Sequence, residues 1–175
     1  ALVLNTTNIT SNNTNVNLTA YATTSDEDSD SVKVIYNWLV NNTPIAVLNM
    51  PFEEINGTAY NNSYDYSGLA NHGNESGGIV WNATGGYDRK GAYNFQSQLS
   101  NYIRLANQGS INSICVNGCT FAARIYKGGT ASGGNNNIMA RWDNTDAGDK
   151  FRLLTAGSDG GVLNLELYQG GTTAA

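Results

Sequence analysis

Apolar and polar residues alternate along several stretches of the 175-residue chain, with the period of two that a half-buried β-strand requires. In residues 16–21, Val16, Leu18 and Ala20 fall on one side of the predicted strand and more polar residues on the other. The same alternation runs through residues 32–39. Since no window has the 3.6-residue apolar period of a helix, the pattern predicts an all-β protein with almost no helix. Further strand candidates, separated by Gly, Asn and Asp, are residues 120–127, 138–142, 151–155 and 162–168.

The chain is organised around a loop at residues 65–73, which reads Asp-Tyr-Ser-Gly-Leu-Ala-Asn-His-Gly. Asp65 and Asn71 have short polar side chains that can bond nearby backbone groups. Ser67-Gly68 can turn tightly, and a glycine at position 73 tolerates a positive φ. This composition disfavours a helix and predicts an ordered turn.

Four further landmarks surround this loop. One is residues 47–53, and the others are residues 78–81 (Gly-Ile-Val-Trp), 91–95 (Gly-Ala-Tyr-Asn-Phe) and 101–105 (Asn-Tyr-Ile-Arg-Leu). In this order and spacing, the sequence over about residues 47–168 resembles a laminin-G-like, concanavalin A-type jelly roll. The resemblance implies a β-sandwich. It implies function only weakly, because this fold carries lectins, adhesins, enzymes and spacers.

The first 45 residues have a different pattern, an acidic polar connection over residues 23–31 followed by the strand candidate that carries Trp38. This resembles part of an immunoglobulin-like or PKD-like surface module, in which that tryptophan is buried. We therefore expect a short Ig-like β segment over residues 1–45 and the jelly roll over residues 46–175. Because Pro44 leads directly into apolar residues, we expect the two parts to form a rigid pair.

The predicted strand series ends at Tyr168, earlier than in the resembled family. We therefore expect a jelly roll that is incomplete at its C-terminus or is completed by another copy of the chain. Strand donation between subunits would satisfy the backbone groups left unpaired at such an edge.

The formal charge of −5 is unevenly distributed. Residues 1–88 hold nine Asp/Glu and one Lys, whereas residues 89–175 hold eight Lys/Arg and five Asp/Glu. This asymmetry favours head-to-tail contact between copies, with an accidental gradient as the alternative. The chain lacks a basic stripe for nucleic acid, and no stretch approaches the ~20 apolar residues of a membrane helix.

Asparagine is unusually frequent, with twenty-six copies, and the first half is rich in Asn-x-Ser/Thr sequons. The ten asparagines after position 82 form none, so we expect an extracellular chain with a glycosylated N-terminal half and a protein-contacting C-terminal half. The alternative is that an Asn/Thr-rich chain forms sequons by chance. The nine sequon asparagines are Asn5, Asn8, Asn12, Asn17, Asn41, Asn56, Asn61, Asn74 and Asn82.

The two cysteines, Cys115 and Cys119, flank a Val-Asn-Gly turn sequence. A turn there brings the two Cβ atoms within reach of a disulfide, which fits an oxidising compartment, whereas a lone C-x3-C pair is a poor zinc site.

Alternate carboxylates at Asp26, Asp28 and Asp30 can converge on Ca²⁺, although an acidic solvated turn is the ordinary interpretation.

Sugar contact and catalysis are the remaining chemical possibilities. Tyr64, Tyr66 and Tyr87 lie in predicted loops and could stack on a sugar ring, while tryptophans on strands are more often core residues. The single histidine, His72, fits a loop cap better than a general base. Glu53 and Glu54 are adjacent and would point to opposite strand faces, so they do not form the paired carboxylates of a glycosidase.

Together these patterns predict a non-enzymatic, extracellular or cell-surface glycoprotein with a structural or adhesive role. We expect a repeating subunit of a filament, appendage or surface layer. The alternative is a carbohydrate-binding lectin module of a larger adhesin.

Overall fold

The computed structural model describes residues 2–6, 15–30, 32–52, 62–96, 101–106, 109–112, 114, 118–128, 136–141, 150–156, 162–169 and 172–174. Its described elements are almost entirely β-strands, which confirms the all-β prediction. In chain order they are β1 (Leu2–Thr6), β2 (Leu18–Ala22), β3 (Leu39–Val40), β4 (Thr43–Pro44), β5 (Asn62–Ser63), β6 (Gly73–Ser76), β7 (Ile79–Asn82), β8 (Ala92–Phe95), β9 (Tyr102–Leu105), α1 (Gly109–Asn112), β10 (Asn136–Arg141), β11 (Lys150–Ala156), β12 (Val162–Gln169) and β13 (Thr172–Ala174).

The chain divides into two compact units, Ala1–Gly118 and Cys119–Ala175. The boundary predicted between residues 45 and 46 lies inside the first unit. Hydrogen bonds cross that point, since Asn49 Nδ2 donates to the Tyr36 carbonyl over 2.9 Å and Asn37 Nδ2 donates to the Ser67 carbonyl over 2.7 Å. Residues before and after position 45 therefore share one polar network.

The first unit contains four small antiparallel sheets among its described residues. β1 pairs with β2, β3 with β4, and β7 with β8, while β5, β6 and β9 form a three-stranded sheet with β6 in the centre. The β3–β4 hairpin turns at Asn41 and Asn42, whose φ angles of 50° and 63° are those of a two-residue type I′ turn. Asparagine tolerates this left-handed region better than most residues, which explains the pair of asparagines at the turn.

The second unit contains a four-stranded antiparallel sheet in the order β10-β11-β12-β13. Leu154 on β11 is fully buried, and Phe121 stacks on Phe151 with ring centroids 4.8 Å apart. The strands predicted at residues 138–142, 151–155 and 162–168 correspond to β10, β11 and β12. The strand predicted at residues 120–127 is wrong, because this segment has no strand pairing and contributes Phe121 to packing instead.

The strand predicted at residues 32–39 is also wrong for all but its last residue. Residues 32–38 have no strand ladder, and their bonds to other segments use side chains and single backbone carbonyls, such as the Trp38 carbonyl, which accepts from the Ile45 N–H over 2.9 Å. The Ala22 N–H donates to the Tyr36 hydroxyl, and the Asn49 side chain donates to the Tyr36 carbonyl. Trp38, expected to be buried as in an Ig-like module, is 40% exposed. Alternation identified the apolar residues here but not the backbone partners.

Gly73 on β6 lies where the sheet meets the segment at residues 47–52. Its φ is not in the left-handed region, so the conformational reason expected for this glycine does not apply. A Cβ at this position would overlap the Ile103 side chain on β9 and lie 3.2 Å from Met50 Cε. The glycine is needed because the neighbouring side chains fill the space that a Cβ would take.

The Gly73→Ala substitution should therefore destabilise the first unit by about 1–3 kcal/mol, since overpacking forces Ile103 and Met50 to move. Urea denaturation of the full chain would measure this loss. Gly78→Ala is the matched control, because a Cβ at Gly78 meets nothing within 4 Å. Equal effects of the two substitutions would contradict the packing argument.

Candidate functional site

The loop at residues 65–73 closes around the buried carboxylate of Asp65, which is 2% exposed. Asp65 Oδ1 accepts hydrogen bonds from the backbone N–H groups of Asn49 and Ser67, both over 2.9 Å. Asp65 Oδ2 accepts from Ser67 Oγ over 2.6 Å and from the Asn71 N–H over 2.9 Å. The carboxylate thus links the backbone at Ser67 and Asn71 within the loop to the backbone at Asn49 in the preceding segment.

Asn71 continues this network in two directions. Its Nδ2 donates to the Val47 carbonyl over 2.8 Å, and its Oδ1 accepts from Ser110 Oγ on α1 over 2.9 Å. Ser63, Asp65, Ser67 and Asn71 are the buried polar side chains among the described residues, and Leu154 of the second unit is the buried apolar one. The first unit is therefore centred on hydrogen-bonded polar groups, which burial requires to be paired.

Burial and hydrogen bonding act in opposite directions on the pKa of Asp65. Burial alone would raise the pKa of this carboxyl, because it removes water from the charged form. The hydrogen bonds from Ser67, Asn49 and Asn71 outweigh burial and lower the pKa of Asp65 below its ordinary value. The ionised form is therefore the one that the folded loop stabilises.

The Asp65→Asn substitution should destabilise the first unit by about 1–3 kcal/mol, because an amide nitrogen in place of Oδ2 leaves the Asn71 N–H without an acceptor. The pH dependence has a defined sign. Since the folded pKa of Asp65 is lowered, its stabilisation is present above the ordinary carboxyl pKa of about 4 and is lost as the pH falls through the folded pKa.

Urea denaturation at neutral and acidic pH would measure both effects, with Asp88→Asn as the control, since Asp88 is exposed. The wild-type protein should lose more stability on acidification than Asp65→Asn. An equal acid dependence of the two proteins would show that another group dominates it.

His72 completes the loop from its outer side. Its Nδ1 accepts a hydrogen bond from the Asp65 backbone N–H over 3.1 Å, which places the ring proton on Nε2. The ring lies 4.3 Å, centroid to centroid, from that of Tyr64, and Tyr64 lies 4.8 Å from Tyr66. Two of the three predicted sugar-contact tyrosines are thus brought together with His72, and the third, Tyr87, is 82% exposed.

The acidic turn brings Asp26, Asp28 and Asp30 together. Their side-chain oxygens lie within 4.8 Å of one another, and all three residues are exposed. Asp26 Oδ1 accepts from the backbone N–H groups of Asp28 and Asp30, each over 3.3 Å. A hydrogen bond shared with the Asp28 carboxyl group, and then those from these backbone groups, lower the pKa of Asp26. Carboxylates so placed suit a hard cation, and Ca²⁺ binding stays a prediction.

The sequon asparagines within the described residues are all exposed: Asn5, Asn17, Asn41, Asn74 and Asn82. Asn82 Oδ1 accepts from the N–H and the hydroxyl of Thr84, the threonine of its own sequon. Accessibility is what attachment of a bulky glycan requires. The other four, Asn8, Asn12, Asn56 and Asn61, lie outside the described residues.

Cys119 is disulfide-bonded. Cys115, the predicted partner, lies outside the described residues, as do Glu53 and Glu54. The residues that sequence reasoning missed are Asn37, Asn49 and Ser110, which bond to the loop from 16 to 39 positions away. No local motif marks them.

No protein-family model, curated protein or solved structure matches this chain. Among the described residues, no helix has the length and apolar character needed to cross a membrane.

Proposed function

We propose that this chain is an extracellular, glycosylated structural or adhesive surface protein that repeats as a subunit of a filament, appendage or surface layer. The finer fold is part of the proposal: a concanavalin A-like jelly roll preceded by a short Ig-like segment. The hydrogen-bonded loop at residues 65–73 and the strands β7, β8 and β9, which lie at three of the resembled landmarks, support it.

The observation that carries the proposal is the two-faced ribbon formed by β1 and β2. The register pairs Leu2 with Ala22 and Leu4 with Ala20, and Leu18 lies two residues before Ala20 on β2, so these residues share one face. Asn5, paired with Thr19, lies on the opposite face, and alternation along β2 places Asn17 there as well. Glycans would therefore occupy one face and leave the leucine face for protein contact.

The leucine face of this ribbon is largely exposed to solvent. Leu2, Leu4 and Leu18 are each more than half exposed, and neither strand contains a charged residue. A two-stranded ribbon is marginal by itself in water and gains stability when its apolar face packs against another surface. An exposed apolar face of this kind is typical of a protein interaction site.

The second unit presents a comparable surface on β12. Leu163, Leu165 and Leu167 lie on one face of the sheet and are each more than half exposed. β13 pairs only with residues 167–169 of β12, so among the described residues the rest of that edge is open. Both features suit contact with a second copy, including the predicted strand donation.

The charge difference between the two compact units is smaller than the difference between residues 1–88 and 89–175, so charge contributes less to self-association than that division of the sequence predicts. Divided at the compact units, residues 1–118 hold nine Asp/Glu and four Lys/Arg, and residues 119–175 hold five of each. The second unit is thus formally neutral. Head-to-tail assembly would depend on the apolar surfaces, with charge limited to steering.

Electron microscopy together with the intact mass of the native material would test this proposal. We expect ordered polymers whose individual subunits have an intact mass above the 18.6 kDa of the unmodified chain. Leu4→Ser should abolish assembly, because Leu4 is 59% exposed on the leucine face. Val3→Ser is the matched control, since Val3 is 51% exposed on the opposite face. A monodisperse monomer at the unmodified mass would contradict the proposal.

The alternative function, a carbohydrate-binding lectin module, is favoured by the cluster of Tyr64, Tyr66 and His72. Rings held on an ordered loop offer a surface for sugar stacking. An unmodified monomer that binds a glycan array, and loses binding in Tyr64→Ala, would favour the lectin over the assembly subunit.

A further inference from the structure

Asn74 lies on the outer face of the β5-β6-β9 sheet. The Cβ direction at the preceding residue, Gly73, points inward, toward Ile103, Leu105 and Met50. Successive side chains of a strand alternate between faces, so His72 and Asn74 point outward. The exposure of Asn74 agrees with this orientation. Its sequon, Asn74-Glu75-Ser76, therefore lies in the central strand of the sheet with its asparagine open to solvent.

Two aromatic rings continue this outer face beside Asn74. The register pairs Asn62 with Asn74 and Ser63 with Gly73. The next pair in this register is Tyr64 and His72, so the two residues lie opposite each other. The 4.3 Å separation of the two ring centroids confirms that both rings lie on the same side. Tyr64 is therefore the diagonal cross-strand neighbour of Asn74, and such neighbours are about 7–8 Å apart, within reach of an aromatic side chain.

The two rings are fixed before any ligand arrives. His72 is held by the hydrogen bond from the Asp65 backbone to Nδ1, and Tyr64 rests on Tyr66. Tyr64 remains 44% exposed, which leaves part of its ring available for contact. With its proton on Nε2, His72 can donate a hydrogen bond to a hydroxyl group. An apolar ring face beside a polar donor matches the two-sided chemistry of a sugar.

We propose that Asn74 carries an N-linked glycan whose first sugar packs against Tyr64 and His72. This inference rests on the proposed glycosylation and names where the sugar lies. In the transfer, Asn74 Nδ2 forms a bond to the anomeric carbon of a lipid diphosphate-linked glycan supplied by the secreting cell. The bond from that carbon to the diphosphate oxygen breaks, the lipid diphosphate leaves with its electron pair, and the amide gives up one proton.

Covalent attachment makes a weak stacking interaction sufficient to order a sugar at this surface. A sugar tethered at Asn74 meets Tyr64 at an effective concentration of about millimolar or more, so stacking that is too weak to capture a free saccharide still orders a linked one. The glycan of the protein itself would then cover the Tyr64, Tyr66 and His72 cluster that a lectin would use.

The test uses the full chain secreted from a cell line that N-glycosylates. Glycopeptide mass spectrometry determines which sequons are occupied, and each glycan is then trimmed to its first sugar. Four proteins are compared by thermal unfolding: the wild type, Ser76→Ala, Tyr64→Ala and the double variant. Ser76→Ala removes the sequon and leaves Asn74 in place. It should lower the unfolding midpoint by about 3 °C when Tyr64 is present and have little effect in the Tyr64→Ala background.

Two controls isolate the glycan. The same four proteins produced without glycosylation should show no dependence of the Ser76→Ala effect on Tyr64. Tyr126→Ala, which truncates a tyrosine that is 95% exposed in the second unit, should leave the glycan effect intact.

The outcomes separate this inference from the proposed function. Other sequons occupied with Asn74 unmodified would overturn the inference and leave the glycoprotein proposal standing. An occupied Asn74 whose loss has the same effect in both Tyr64 backgrounds would overturn the stacking. A chain with no sequon occupied would overturn both.

Discussion

The structure of the first unit depends on one buried carboxylate. Asp65 accepts four hydrogen bonds, from three backbone N–H groups and one hydroxyl, and these tie the loop at residues 65–73 to the segment at Asn49. A buried charge is tolerated only when such partners replace the lost water. Replacing any of them would leave the charge under-compensated, so the loop is constrained to one conformation.

That constraint fixes the outer surface as well. The Asp65 backbone N–H holds His72, and His72 and Gly73 define which face of β6 carries Asn74. The interior network and the exterior aromatic cluster are two sides of the same short loop. The hydrogen bonds that stabilise the loop inside therefore also order the exposed face on which Asn74, His72 and Tyr64 lie.

The sequence allowed part of this arrangement to be predicted. The types and spacing of Asp65, Ser67 and Asn71 identified an ordered turn, because Asx and Ser side chains bond backbone groups within a few residues. The partners Asn49 and Ser110 could not be predicted, since each lies far along the chain and is an ordinary polar residue by itself. Alternation located β11 and β12 correctly, yet failed at residues 32–38 and 120–127, which contain alternating apolar residues but form no strand ladder. Periodicity records which side chains are apolar and carries no information about backbone partners.

Hydrogen exchange of the backbone amides of Asn49, Ser67 and Asn71 tests most directly whether the Asp65 carboxylate organises the unit. We expect these three amides to be among the slowest to exchange in the first unit, since each donates to a buried carboxylate. The matched reference is the Lys90 amide, which donates to the exposed Asp88. Exchange of the three amides as fast as that of Lys90 would show that the Asp65 carboxylate does not organise the unit.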